Sequence, residues 1–126
     1  MCVCFAVLCT LQRLSLDSNR LKVLPNNMGA CSKLEYFSAS RNRLRALPDT
    51  LDGLSSLTFL SLSQVLHAYS THFCLSPHHL ARVLVASGAV QNKLVALPNS
   101  ICRMRSLQVL RVARNRITTL PMQFFM

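Results

Sequence analysis

One phrase recurs along this chain, and the recurrence decides the fold before any local propensity does. Leu11-Gln-Arg-Leu14-Ser-Leu16-Asp-Ser-Asn19-Arg-Leu21-Lys-Val-Leu24-Pro25 returns as Leu34-Glu-Tyr-Phe37-Ser-Ala39-Ser-Arg-Asn42-Arg-Leu44-Arg-Ala-Leu47-Pro48. It returns again as Leu107-Gln-Val-Leu110-Arg-Val112-Ala-Arg-Asn115-Arg-Ile117-Thr-Thr-Leu120-Pro121. A further copy opens at Leu57 and is interrupted. Leu11, Leu34 and Leu57 stand 23 residues apart. A fixed period of that length implies a solenoid, in which each coil buries its apolar face only against its neighbours.

Within a copy, L-x-x-L-x-L alternates apolar and polar residues, which predicts a short strand with one buried face. The Asn follows where the chain turns out of the strand. Its side chain can satisfy backbone groups that the turn leaves unpaired and so link each coil to the next. Leu-Pro then imposes an extended step. After each proline come residues suited to open a helical turn, Asn26, Asp49-Thr50 and Asn99-Ser100. Apolar residues follow at a spacing of three, as in Met28, Cys31 and Leu34, or Leu51, Leu54 and Leu57. That spacing suits a 3₁₀ or α turn packed on the sheet.

These motifs resemble the leucine-rich-repeat family in its 23-residue L-x-x-L-P class, with Phe37 and Ala39 as mild departures. The resemblance covers 11–64 and 92–126, and weakly 2–10. It is nearest to intracellular Ras-group-related, Scribble-like and Roco-type repeats. It implies an α/β solenoid, curved and right-handed, with short parallel strands on a concave, protein-binding face. Short helical or 3₁₀ turns would form the convex face, and one irregular segment is inserted. A single domain, 1–126, would hold repeats 11–33, 34–56, 57–64 plus 92–106, and 107–126, preceded by a partial repeat, 1–10.

The interruption is residues 65–91. Removing it joins 57–64 to 92–106 and restores one whole repeat. All four histidines of the chain lie in it, and no acidic residue does. Three origins stand open. Val codons begin GT and one of the two Gln codons is CAG, so Val65 and Gln91 would suit the ends of a translated, in-frame intron. Leu80-x-x-Val83-x-Val85 loosely mimics a strand unit, as a degenerate extra repeat would. A functional loop is the third. His67, His72, Cys74, His78 and His79 fit no familiar zinc spacing, so no metal and no cofactor is expected.

The chain carries 14 basic and 4 acidic residues, a formal charge of +10. The residue after each turn Asn is basic: Arg20, Arg43, Lys93 and Arg116. Stacking would set these in a ladder about 5 Å apart. Such a stripe attracts acidic partners, although a solvated edge that keeps the coils soluble explains it too. The outward strand positions should form the concave face. They are Arg13, Ser15, Asp17 and Ser18 in the first copy, then Tyr36, Ser38, Ser40 and Arg41. Phe59, Ser61, Ser63 and Gln64 follow, and then Val109, Arg111, Ala113 and Arg114. The serines should keep this surface shallow. Tyr36 and Phe59 should lie side by side, as exposed aromatics near Arg do at interface hot spots.

The six cysteines read as reduced thiols rather than as a disulfide framework. Extracellular leucine-rich repeats often carry a cysteine cap, but Cys9 stands too close to Leu11 for one. Met1–Leu11 is apolar, short and without a basic leader region, and reads as part of the fold. A cytoplasmic location is therefore expected. The chain has no Gly-rich phosphate loop, nucleophile elbow, zincin motif or carboxylate pair, so a non-enzymatic role is expected. It opens in mid-repeat and stops short of completing the last copy, which suggests a fragment. The expected function is a protein–protein interaction module, a scaffold or recognition arm in intracellular signalling. The alternatives are a substrate-recognition fragment of a larger kinase, phosphatase or ubiquitin ligase, and anion binding to RNA or acidic lipid through the ladder. A protein partner is expected, an acidic one fits the charge, and nucleic acid or membrane is the less expected partner.

Overall fold

Each L-x-x-L-x-L phrase makes a strand of three residues, because the coil must turn as soon as its apolar positions are spent. In the computed structural model, described for residues 9–63, 71–74, 82–85 and 92–122, these strands are β1 (Arg13–Ser15), β2 (Tyr36–Ser38), β3 (Phe59–Ser61) and β6 (Val109–Arg111). All pair in parallel, and the register aligns Leu14, Phe37, Leu60 and Leu110 across the sheet. Phe37, Leu60 and Leu110 are fully buried, and Leu14 is half-buried in the first described coil. The opposite wall of each coil is a 3₁₀ turn at Asn26–Ala30, another at Leu51–Gly53, and a short helix α1 at Ser100–Arg103. The apolar triads that begin at Met28, Leu51 and Ile101 close one core with the Leu-Pro leucines Leu24, Leu47 and Leu97.

The polar residues that open the turns do not cap them. Pro25, Thr50 and Asn99 stand at the N-cap positions, and none makes a side-chain cap hydrogen bond. Thr50 is used between coils instead, donating its hydroxyl to the Asn26 carbonyl. Gly29 and Gly53 mark a close approach of consecutive turns. A Cβ on Gly29 would lie 2.0 Å from the Thr50 carbonyl oxygen, and one on Gly53 would lie 2.4 Å from the Gly29 carbonyl oxygen.

The turn asparagines form the ladder expected of them. Asn42 donates to the Leu16 carbonyl at 2.8 Å and the Ala39 carbonyl at 3.1 Å, and it accepts from the Leu21 N–H at 3.0 Å. Asn92 repeats the pattern on Leu62, Ala39 and the Leu44 N–H. Asn115 repeats it on Val112, Leu62 and the Leu94 N–H. Each amide thus ties its own coil to the one before. The residue ahead of the Asn turns the chain with positive φ: Ser18 at 60°, Arg41 at 56° and Arg114 at 59°.

Asn92 sits in the ladder between Asn42 and Asn115, so the interrupted coil closes across the insertion and β3 pairs directly with β6. Two strands lie within the insertion, β4 (Thr71–Cys74) and β5 (Arg82–Val85), joined antiparallel. β5 runs parallel to β6 with Val83 opposite Leu110. A degenerate repeat predicts that register. Sequence order alone would set such a repeat between β3 and β6, whereas the sheet order is β1-β2-β3-β6-β5-β4. The reason is that 57–64 and 92–106 already complete one coil, leaving the far edge of β6 as the open parallel edge. His67, His78 and His79 lie outside the described residues. No grouping of three metal-binding side chains occurs among the described residues, and no described helix is long and apolar enough to cross a membrane.

Candidate functional site: the concave face

Alternation along the strands puts every second side chain on the concave face. The first row, in strand order, is Arg13, Tyr36, Phe59 and Val109. The Tyr36 and Phe59 rings stack with centroids 4.7 Å apart and planes 7° from parallel. The Arg13 guanidinium lies 4.8 Å from the Tyr36 ring centre, and that of Arg111 lies 5.1 Å from Phe59. A flat aromatic pair is therefore bracketed by two cations. Such contacts are worth about 0.5–2 kcal/mol each and hold the planar groups in fixed orientation.

The second row is Ser15, Ser38, Ser61 and Arg111. Here an expectation is corrected: Ser38 and Ser61 are each only 2% exposed, and Ser40 and Ser63 are buried as well. They do not present a shallow outer surface. Small side chains set among rings and guanidinium groups are overtopped and become a floor, and their hydroxyls pair with one another. Ser38 donates to Asp17 Oδ1 at 2.6 Å, the Ser38 and Ser40 hydroxyls are 3.2 Å apart, and those of Ser40 and Ser61 are 3.0 Å apart. Asp17 also accepts from the Ser40 N–H at 2.6 Å and the Ser15 hydroxyl at 3.1 Å. A cleft of about 150 Å³ stands over this floor, walled by Tyr36, Phe59, Arg41 and Arg111, with Asp17 and Ser18 at one end.

Of the concave residues expected from sequence, Arg13, Ser15 and Asp17 are exposed, and Tyr36, Phe59, Val109 and Arg111 are half-buried. The Arg111 Nε–H is shielded from water and has no hydrogen-bond acceptor. Arg41 lines the same cleft. The basic ladder is separate. Arg20, Arg43, Lys93 and Arg116 are all exposed. Backbone bonds from Arg43 to Leu21, Lys93 to Leu44 and Arg116 to Leu94 hold its upper three rungs in register. The one ion pair among the described residues, Arg103 to Asp52 at 2.7 Å, lies on the convex side and touches neither surface.

Cys31 is buried, with its sulfur 3.8 Å from that of Cys9. Burial first, and then the Cys9 thiol, push its pKa from 9.0 up to about 11. Burial likewise raises that of Cys102.

A family model described as "Leucine rich repeat" matches residues 9–64. A solved structure of a leucine-rich-repeat protein from Leptospira interrogans is similar over 86% of this chain, with 29% identity and a TM-score of 0.62. The chain spans 21% of that protein's length. Among curated proteins, none matches significantly.

Proposed function

Because this chain is a leucine-rich-repeat protein, we propose that it is a protein-binding module that takes its partner on the concave face of β1, β2, β3 and β6. Domains of this family are generally protein–protein interaction modules. The observation that carries the reading to this face is the stacked Tyr36–Phe59 pair bracketed by Arg13 and Arg111. Aromatic and Arg side chains held rigid beside a cleft lose little entropy on binding, and interface energy concentrates on such residues.

In this reading the module is a non-enzymatic scaffold or recognition arm in intracellular signalling, working in the cytoplasm. The reduced-thiol reading of its cysteines supports that location. A second role fits the same surface: substrate recognition within a larger kinase, phosphatase or ubiquitin ligase.

The test places a photo-crosslinking amino acid at position 59, on the concave face, and in a second protein at Val23, which is 70% exposed. A discrete protein cross-linked in cells from position 59 and not from position 23 supports the reading. Equal yields from both positions, or capture from position 23 alone, contradict it.

A further inference from the structure

We propose that the concave cleft takes an acidic, extended segment of a protein partner, with a carboxylate held between Arg41 and Arg111 beside the Tyr36–Phe59 rings. The inference rests on the concave-face reading and names the chemistry of its ligand.

Charge is the first argument. Arg13, Arg41 and Arg111 lie on or around the cleft, and Asp17 is the one acidic residue that lines it. The other acids of the chain, Glu35, Asp49 and Asp52, lie elsewhere. Asp17 neutralises none of the three arginines by an ion pair, because the sole ion pair among the described residues is Arg103–Asp52.

Hydrogen bonding is the second. A serine hydroxyl has one hydrogen. Ser38 gives its hydrogen to Asp17, so in the Ser38–Ser40 contact Ser40 is the donor, and in the Ser40–Ser61 contact Ser61 is the donor. Every hydroxyl hydrogen of the chain from Ser61 to Asp17 is spent, and all run toward Asp17. The carboxylate is held by the protein's own donors, three in number. Unused donor capacity on this side of the cleft belongs to arginine. The Arg111 Nε–H has no acceptor in the protein, and its guanidinium lies against Phe59. A carboxylate accepts two N–H bonds from one guanidinium, and a ligand that brings one pairs with arginines that form no ion pair with the described residues of the protein. A cationic ligand would meet like charge, and a neutral one would leave the arginines unpaired.

The test uses the full 126-residue chain and three fluorescein-labelled probes: decaglutamate, decalysine, and a ten-nucleotide oligouridylate. Two double variants remove equal charge, Arg41→Ala with Arg111→Ala in the cleft, and Arg43→Ala with Arg45→Ala on the exposed edge. Far-ultraviolet circular dichroism and the thermal midpoint confirm that each variant folds. We expect decaglutamate to bind best. Its affinity should fall about tenfold in the cleft variant, as loss of a charge-assisted pair gives, and about twofold or less in the edge variant. Arg111→Lys should recover only part of the loss, because lysine keeps the charge and lacks the planar fork. Equal losses in the two double variants overturn the proposal, as does oligouridylate binding more tightly than decaglutamate. The partner cross-linked from position 59 separates this inference from its premise. Capture lost with Tyr36→Ala but kept with Arg41→Ala and Arg111→Ala overturns the acidic segment alone. Capture indifferent to all three substitutions removes the concave site itself.

Discussion

Ser38 donates its hydroxyl hydrogen to Asp17 Oδ1 across adjacent coils at 2.6 Å, and that bond orients the whole serine floor. The donor direction from Ser61 through Ser40 to Ser38 follows from it. A carboxylate on the first described coil therefore organises hydroxyls two coils away.

Replacing Asp17 by Ala should cost about 1–3 kcal/mol, because the Ser40 N–H and Ser38 hydroxyl lose their acceptor while Ser38 and Ser40 remain buried. Urea denaturation measures this. Ser15→Ala should cost under about 0.5 kcal/mol, since Ser15 is exposed and its hydroxyl can turn to water.

Asn92 is 1% exposed and bonds two carbonyls and one N–H drawn from two coils. Asn92→Ala leaves the Leu44 N–H without its acceptor in the interior, and takes one of two side-chain donors from each of the Ala39 and Leu62 carbonyls, which keep Asn42 and Asn115; a loss of about 2–3 kcal/mol is expected. Asn19→Ala, at an exposed site, should cost about 1 kcal/mol or less. Equal effects at the two positions in the same denaturation experiment would contradict the ladder as the element that couples coils.

Deleting residues 65–91 joins Gln64 to Asn92 and leaves a repeat of the same length as its neighbours. Closing so long an excursion costs loop entropy, while the deletion removes the β5–β6 pairing. The β1-β2-β3-β6 sheet does not depend on the insertion for its pairing. The deletion variant should unfold cooperatively with an unchanged or raised thermal midpoint. A broad, non-cooperative transition would mean that the β4–β5 hairpin carries part of the fold.

Much of this was legible in sequence, because landmarks at a fixed period fix which residues share a row. The register of Leu14, Phe37, Leu60 and Leu110, the Asn ladder and the neighbouring Tyr36 and Phe59 rings all follow from the period. What needs three dimensions was not legible. Ser38 and Ser61 alternate outward as expected, yet neighbouring long side chains bury them. The positive φ at Ser18, Arg41 and Arg114 left no glycine as a signal. β5 shows the right strand spacing, but its position outside β6 depends on which sheet edge is open. The close approach of Gly29 and Gly53 joins residues 24 apart, one off the repeat period.

Gly53→Ala should destabilise by about 1–3 kcal/mol, because its Cβ would lie 2.4 Å from a backbone oxygen that no rotamer change can move away. Differential scanning calorimetry would show a lowered midpoint, and an unchanged one would mean that the two turns separate at little cost.

The Cys31 thiol gives the chain a pH dependence of definite sign. Its folded pKa, about 11, is above the ordinary 9.0, so the unfolded chain releases this proton first. The thiol's contribution is whole below pH 9 and is lost as pH rises toward 11. Stability to urea should fall as pH rises from 9.0 toward about 11, and Cys31→Ala should flatten part of that fall. An identical slope in the variant would remove Cys31 as a source.

Recognition through the concave strands is tested most directly by amide hydrogen exchange, with and without the protein cross-linked from position 59. The account predicts slowed exchange in the partner's presence at Tyr36–Ser38, Phe59–Ser61 and Val109–Arg111. Protection confined to the convex turns at Asn26–Ala30, Leu51–Gly53 and Ser100–Arg103 would contradict it.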